Sequence, residues 1–242
     1  MCINNIQYLH NIPTKQLKKR QDERSKKKGN QTVDMSTTDF KCSETKKNLM
    51  RAFAGESLAR NRYTFAAAEC ERQGYQALKL MFLFTANQEK EHAELYYKHL
   101  QDFAGETVYV EGGYPAEHRK NVIGMLRAAA QNELTEYYDV YRRFEEKAKE
   151  EGFPQIAEQF QMIREADRIH GERFARFADL LEQDRLFVSD VATSWMCLNC
   201  GTVLEDTNAP LSCPTCHASQ DFFLRLDLVP YGRLNGGGAP RD

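Results

Sequence analysis

Between residues 43 and 184 apolar side chains recur every three or four positions, the spacing of one buried face on an α-helix. Four such stripes can be traced. The first runs Leu49, Phe53, Glu56, Ala59, Tyr63, Ala67, and the second Leu78, Met81, Thr85, Glu89, His92, Tyr96, Leu100. The third is Val122, Leu126, Ala129, Glu133, Glu136, Val140, Phe144, and the fourth Ile156, Phe160, Ile163, Asp167, His170, Phe174, Phe177, Leu181. They predict helices over about 43–73, 75–103, 116–151 and 154–184. Gly74 and Gly152 suit helix C-termini, Ala104-Gly105 stops the second helix, and Pro154 suits a first turn.

The joints after the first and third helices are short, so each of these helices forms an antiparallel hairpin with the next. GETVYVEGGYP (105–115) has no helical period. Eleven extended residues reach roughly 35 Å, close to the roughly 40 Å of a 26-residue helix. This stretch can therefore cross the bundle end to end and set the second and third helices parallel. Four helices with one long crossover make a ferritin-like bundle. Residues 185–195 read as a linker with strand character, and 194–226 as β-like and turn-rich, too short to fold on an apolar core alone. The expected fold class is mainly α: a four-helix bundle at 40–187, then a small β/turn-rich metal domain at 188–230. Residues 1–39 are expected to be a disordered extension, and 231–242 a flexible tail.

The 242 residues are 41% hydrophobic and 28% charged with a formal net charge of -2, the profile of a soluble globular protein. That balance gives no reason to expect nucleic acid as a partner. No apolar run approaches the roughly 20 residues of a membrane span. KKRQDERSKKKGN (18–30) is a mixed-charge run, and the N-terminal stretch lacks the apolar core of a signal peptide.

Each stripe carries a polar break near its middle. Glu89/His92, Glu133/Glu136 and Asp167/His170 are spaced i, i+3 and so face one way. One such pair on a charged helix is most simply a solvated pair. Four helices broken at the same height would instead bury five carboxylates and two imidazoles in one layer, which requires a counter-charge. Two metal ions supply it, and carboxylate with imidazole suits iron or manganese. The layer reads as a dinuclear metal site, near the scheme of a Glu from each of two helices and Glu-x-x-His from the other two. In that scheme Glu56 and Glu133 are the bridging carboxylates and Glu89/His92 and Asp167/His170 the chelating pairs, with Glu136 one carboxylate extra. Tyr63 and Tyr141 are spaced to hydrogen-bond a ligand, though plain packing explains them as well.

Cys197-x2-Cys200 and Cys213-x2-Cys216, twelve residues apart, can wrap a tetrahedral ion, either structural zinc or redox-active iron. Clustered cysteines favour a metal over disulfides, and hence a reducing, cytoplasmic compartment. Cys2, Cys42 and Cys70 read as ordinary thiols, and His217 is surplus to four ligands.

Four motifs taken together resemble the rubrerythrin family over residues 40–228, both domains and their order. They are AFAGESLARNRY in the first helix, NQEKEHAELYYKHL in the second, GFPQIAEQF leading to ADRIHGERF in the fourth, and WMCLNCG with CPTC at the end. The resemblance implies a ferritin-like bundle holding a non-haem di-iron site, followed by a rubredoxin-like Fe(Cys)4 domain. It implies a peroxidase reducing hydrogen peroxide to water in oxidative-stress defence. Its electrons would come from an NAD(P)H-linked reductase or rubredoxin through Cys197, Cys200, Cys213 and Cys216. By position it implies Glu56, Glu89, Glu133, Glu136, Asp167 and His170 as ligands of the oxidised site. His92 would replace Glu136 when one iron moves on reduction. It further implies Tyr63 and Tyr141 as hydrogen-bonding partners, and a head-to-tail homodimer or a tetramer of such dimers. Two residues depart from the family pattern: Asp167 stands in place of Glu, and Asn132 precedes Glu133 in place of Gly. The rival readings are a ferroxidase or other iron-handling protein, and a regulatory or binding protein with a zinc ribbon.

Overall fold

The computed structural model describes residues 40–116 and 120–230. The expected extension (1–39) and the expected tail (231–242) lie outside the described residues. The bundle comprises α1 (Glu44–Arg72), α2 (Gln76–Lys98), α3 (Val122–Thr135), α4 (Tyr141–Glu150) and α5 (Pro154–Glu182). A π-helical turn, Glu136–Val140, joins α3 to α4. Two features of this third rod differ from the sequence expectation. It begins at Val122 rather than 116, because the Asn121 side chain caps it by accepting the Gly124 amide at 2.7 Å. The π turn also adds a residue to the helical repeat, so the buried face passes from Glu133 to Tyr141, Glu145 and Ala148, and Val140 is only partly buried.

The contacts at the helix ends fix their directions. Phe40, ahead of α1, packs on Phe103 beyond α2 and on Phe153 ahead of α5, with ring centroids 5.6 and 5.1 Å apart. At the same end Glu151, just past α4, accepts the Glu44 and Thr45 amides at 3.0 and 2.8 Å. The crossover runs along α1. Arg51 Nε donates to the Glu111 carbonyl (2.8 Å), and at the other end of the helix the Gln73 side chain donates to the Lys120 carbonyl (3.2 Å). α2 and the α3–α4 rod are therefore parallel, the ferritin-like arrangement.

The bundle has two apolar cores. One centres on Tyr63, Leu78, Phe82, Leu126, Phe174 and Phe177, and the other on Leu49, Tyr96, Tyr141, Phe160 and Ile163. The four polar breaks lie between them. The C-terminal domain is an antiparallel sheet of β1 (Val188–Cys197), β2 (Val203–Asn208) and β3 (Phe223–Arg225) in the order β2-β1-β3. β1 begins inside the expected linker. Trp195 is fully buried in the domain's own small core and donates to the Asp206 carbonyl (3.0 Å). Leu224, Leu198 and Leu228 join the first bundle core, seating the domain on that end of the bundle. Among the described residues no helix is long and apolar enough to cross a membrane.

Candidate metal centres

The layer between the cores receives Glu56 from α1, Glu89 and His92 from α2, Glu133 and Glu136 from the α3–α4 rod, and Asp167 and His170 from α5. Glu56, Glu89, Glu133 and Asp167 are each 1% exposed and His170 2%. Their donor atoms form overlapping sets within 4.8 Å: Glu56, Glu89, His92 and Asp167; Glu89, Glu133 and His170; Glu133, Glu136 and Asp167. Glu89 lies at the centre, with Oε2 2.9 Å from His92 Nδ1 and Oε1 2.9 Å from His170 Nδ1. Glu56 Oε2 stands 3.8 Å from His92 Nδ1, and Glu133 Oε2 3.4 Å from His170 Nδ1. Asp167 Oδ1 also stands 3.7 Å from His92 Nδ1, and Glu89 is shared between the two histidines.

Groups outside the layer hold these side chains. The Tyr141 hydroxyl donates to Glu56 Oε1 at 2.6 Å, and the Tyr63 hydroxyl donates to Glu133 Oε1. His170 Nε2 lies 3.1 Å from Gln88 Oε1, a partner that can accept the Nε2 proton when Nδ1 serves as a metal ligand.

These residues fit a pair of cations. Glu89 Oε1, Glu133 Oε2, both Asp167 oxygens and His170 Nδ1 are buried with no hydrogen-bond partner. His170 Nδ1 and Glu89 Oε1 are close but not aligned for a hydrogen bond, the relation of two ligand atoms directed at one point. Burial, and then Glu89 for Glu133 and Glu56 for Glu136 and Asp167, push these three carboxyls above the usual carboxylate range. Burial works to lower the histidines, but the carboxylates outweigh it and push His92 to about 10 and His170 to about 9. A layer that holds on to protons this strongly lacks positive charge, and metal ions provide it.

The tail domain brings Cys197, Cys200, Cys213 and Cys216 within 4.8 Å of one another, all unbridged. The Cys197–Cys216 and Cys200–Cys213 sulfurs are each 3.7 Å apart. A tetrahedron with metal–sulfur bonds of about 2.3 Å has edges of about 3.8 Å, so the four thiols match one tetrahedral ion. The two knuckles repeat one design. Amides of Asn199 and Cys200 donate to Cys197, and those of Thr215 and Cys216 to Cys213. The Asn199 side-chain amide also donates to Cys216 Sγ (3.3 Å), and this hydrogen bond leads in drawing that thiol down to about 6.

A rubrerythrin family model matches residues 47–178, and a model of the rubrerythrin rubredoxin-like domain matches 195–224. Rubrerythrin of Clostridium perfringens (strain 13 / Type A) is 40% identical over 76% of this chain and 95% of its own length. Rubrerythrin of Nitratidesulfovibrio vulgaris is 39% identical over 78% and 97%. The chain belongs to the rubrerythrin family. Its bundle layer is thus the family's non-haem di-iron site and its tail the rubredoxin-like tetracysteine site, in a family generally linked to oxidative stress. The structure of nigerythrin in a mixed-valence state aligns with TM-score 0.51 at 25% identity, covering 82% of this chain and 98% of that one. A bacterioferritin of Desulfovibrio desulfuricans aligns with TM-score 0.52 at 22% identity over 59% and 82%, a likeness of fold alone.

Within this rubrerythrin-family site Glu89, rather than Glu56 or Glu133, is the carboxylate that faces both histidines. Glu56 and Glu133 each accept a tyrosine hydroxyl on one oxygen, and Glu133 belongs to two of the donor sets. The shorter Asp167 still reaches the layer, and Asn132 lines the cavities on either side of it. Three contributors escape a reading of the sequence: Gln88, Asn199 and the Tyr96 hydroxyl. By periodicity Tyr96 is plain core, yet its hydroxyl is buried without a partner, and burial followed by Glu56 and Asp167 raises it well above the usual tyrosine range. The Glu89-x2-His92 stripe could flag Gln88 as the ligand's neighbour, but only the fold brings it to His170.

Proposed function

We propose that this chain reduces hydrogen peroxide to water at the bundle site, with electrons arriving one at a time through the tetracysteine centre. Glu136 carries the reading. It is a carboxylate beyond the symmetric set, and of the seven candidate ligands it alone lines a cavity of about 770 Å3 bounded by α1, the crossover and the α3–α4 rod. A site that only stores or oxidises iron needs neither this residue nor a one-electron domain on the same chain.

On this reading Glu56, Glu89, His92, Glu133, Glu136, Asp167 and His170 hold two iron ions, and Cys197, Cys200, Cys213 and Cys216 hold a third. A ferrous pair there would supply two electrons, one per ion, to the peroxide O–O bond. Tyr63 and Tyr141 fix Glu133 and Glu56, Gln88 holds the His170 ring, and the two cores flank the layer with apolar side chains. Glu136 and His92 are the two least buried of the seven, which suits residues that exchange at one ion as its oxidation state changes. The nigerythrin structures include mixed-valence and all-ferrous states of that protein, and the same cycling is proposed here. The proposed donor is an NAD(P)H-linked reductase or rubredoxin in the cytoplasm, and the proposed assembly a head-to-tail homodimer or a tetramer of such dimers.

The test uses anaerobically reduced protein mixed with hydrogen peroxide and, separately, with air-saturated buffer, following the visible absorption of ferric Fe(Cys)4. Colour returning within seconds with peroxide, and much more slowly with dioxygen, is the expected result. Equal rates with consumption of excess Fe(II) would replace the reading with iron handling. A colourless tail would mean zinc and no electron path.

A further inference from the structure

The cavity beside Glu136 is far larger than hydrogen peroxide requires. Its volume of about 770 Å3 lies within the roughly 300–1,000 Å3 of pockets that hold drug-sized organic ligands, whereas a water molecule occupies about 30 Å3 of liquid. Its inner end exists because position 55 has no side chain. A Cβ on Gly55 would lie 3.7 Å from the Tyr141 hydroxyl, 3.8 Å from Glu136 Oε1 and 3.8 Å from the Tyr114 ring. A carboxylate and a hydroxyl therefore meet at one small gap beside the metal layer. Outward from the gap the lining turns apolar, with Tyr114, Pro115, Val140 and Phe144. The crossover residue Tyr114 is held by donating its hydroxyl to the Arg51 carbonyl (3.1 Å). The charges at the rim are paired: Arg51 with Glu44, Arg143 with Asp139 (2.8 Å) and Lys147 with Glu150 (2.7 Å). Nothing there calls for an ionic ligand.

We infer that the site also reduces small neutral organic hydroperoxides, ROOH, with the O–OH end at Glu136 and Tyr141 and the group R in this cavity. The inference rests on the peroxidase reading above. The balance is that of hydrogen peroxide with R replacing one hydrogen. The O–O bond is broken by two electrons from the reduced metal pair and two protons, giving the alcohol ROH and water. One-electron donors acting through the tetracysteine centre then restore the pair. Gly55 is a specificity-determining position on this account, because a side chain there would close the gap to R before it closed it to the smaller peroxide.

Reduced holoprotein is mixed with hydrogen peroxide, tert-butyl hydroperoxide and cumene hydroperoxide, with return of the ferric Fe(Cys)4 colour and the alcohol formed both measured. Cumene hydroperoxide is expected to reoxidise the wild type and to yield one 2-phenyl-2-propanol per two electrons. Gly55→Leu is expected to lower its rate at least roughly tenfold more than the hydrogen peroxide rate, the scale of shape discrimination in an apolar pocket. Gly55→Ala adds a methyl at ordinary contact distance and favours the helix. It keeps the test open if the leucine variant folds poorly, and should shift the ratio in the same direction. Saturation-transfer NMR with 2-phenyl-2-propanol on the oxidised holoprotein gives a readout without turnover, expected for the wild type and lost in Gly55→Leu. If hydrogen peroxide reacts and neither organic hydroperoxide does, the inference falls and the peroxidase reading stands. If hydrogen peroxide also fails to react, both fall. Equal loss of both rates in a folded Gly55 variant would overturn the placement of R.

Discussion

The tetracysteine centre takes all its donors from residues 197–216, whereas the bundle centre gathers its own from four helices between residues 56 and 170. Their surroundings differ as sharply. The tail's core is Trp195, Cys197, Ala209, Cys213 and Phe223, so two of its five buried apolar residues are themselves metal ligands. The bundle layer is flanked by cores of 20 and 11 buried residues that contain no ligand. In the tail the ion substitutes for a missing core and makes the fold. In the bundle the fold is made elsewhere, and it forces carboxylates together that only ions can reconcile.

The difference should be plainest when metal is removed. Structural zinc in zinc-finger peptides binds with apparent free energies of about 10–16 kcal/mol, and in so small a domain metal binding of that order is folding energy. Trp195 is the chain's one tryptophan and is fully buried in the tail, so its emission reports that domain alone. Stripping the metals, or substituting Cys213→Ala, is expected to shift Trp195 emission to the red value of an exposed indole. Helical circular dichroism should fall by less than about a tenth, since the two bundle cores remain. Simultaneous loss of both signals would break the comparison.

A second effect, smaller and confined to the bundle, concerns pH. In metal-free protein His92 and His170 are raised to about 10 and 9 from an ordinary 6.5. A raised histidine contributes stability that is complete below pH 6.5 and is lost as pH rises through 9 to 10. The raised carboxyls of Glu133, Glu136 and Asp167 act in the same sense, their loss beginning above their ordinary range. Metal-free bundle should therefore be less stable at pH 9 than at pH 6, by several kcal/mol in urea unfolding. With both ions bound the histidines are neutral ligands, and the slope should largely vanish. A metal-free bundle that gains stability toward pH 9 would mean that the layer does not have the proton affinity its crowding implies.

The same contrast governs what is readable in the sequence. The layer is legible because helical period alone puts Glu56, Glu89, Glu133 and Asp167 on the inner face of their helices. The tail is legible because its donors are neighbours along the chain. Which carboxylate lies between the histidines is not, because it depends on how far each helix is rotated and slid against the others. The π turn at Glu136–Val140 is hidden for a related reason. Nothing in EYYDV breaks helical period, and the turn appears where the rod must present both Glu136 and Tyr141 to the layer. Gln88 and Asn199 act across the fold, on a residue far along the chain or in the opposite knuckle, so no spacing rule points to them.

The smallest expected effect lies within the tail, between its two knuckles. Gly201 and His217 each follow the second cysteine of a pair, and each donates its amide to the first cysteine's carbonyl, at 2.8 and 2.9 Å. Both are left-handed, with φ of 79° and 61°. Glycine tolerates this, whereas a side chain there costs about 1–2 kcal/mol, partly offset by glycine's greater freedom in the unfolded chain, about 0.5–1 kcal/mol. His217 is exposed and outside the four-thiol set. His217→Gly should then raise the thermal midpoint followed by Trp195, by a net stabilisation of up to about 1 kcal/mol. Gly201→His should lower it, and neither change should reach the helical signal. If His217→Gly destabilised the tail instead, the imidazole would have to support the knuckle in a way its exposed position does not explain, and the two knuckles would not be equivalent.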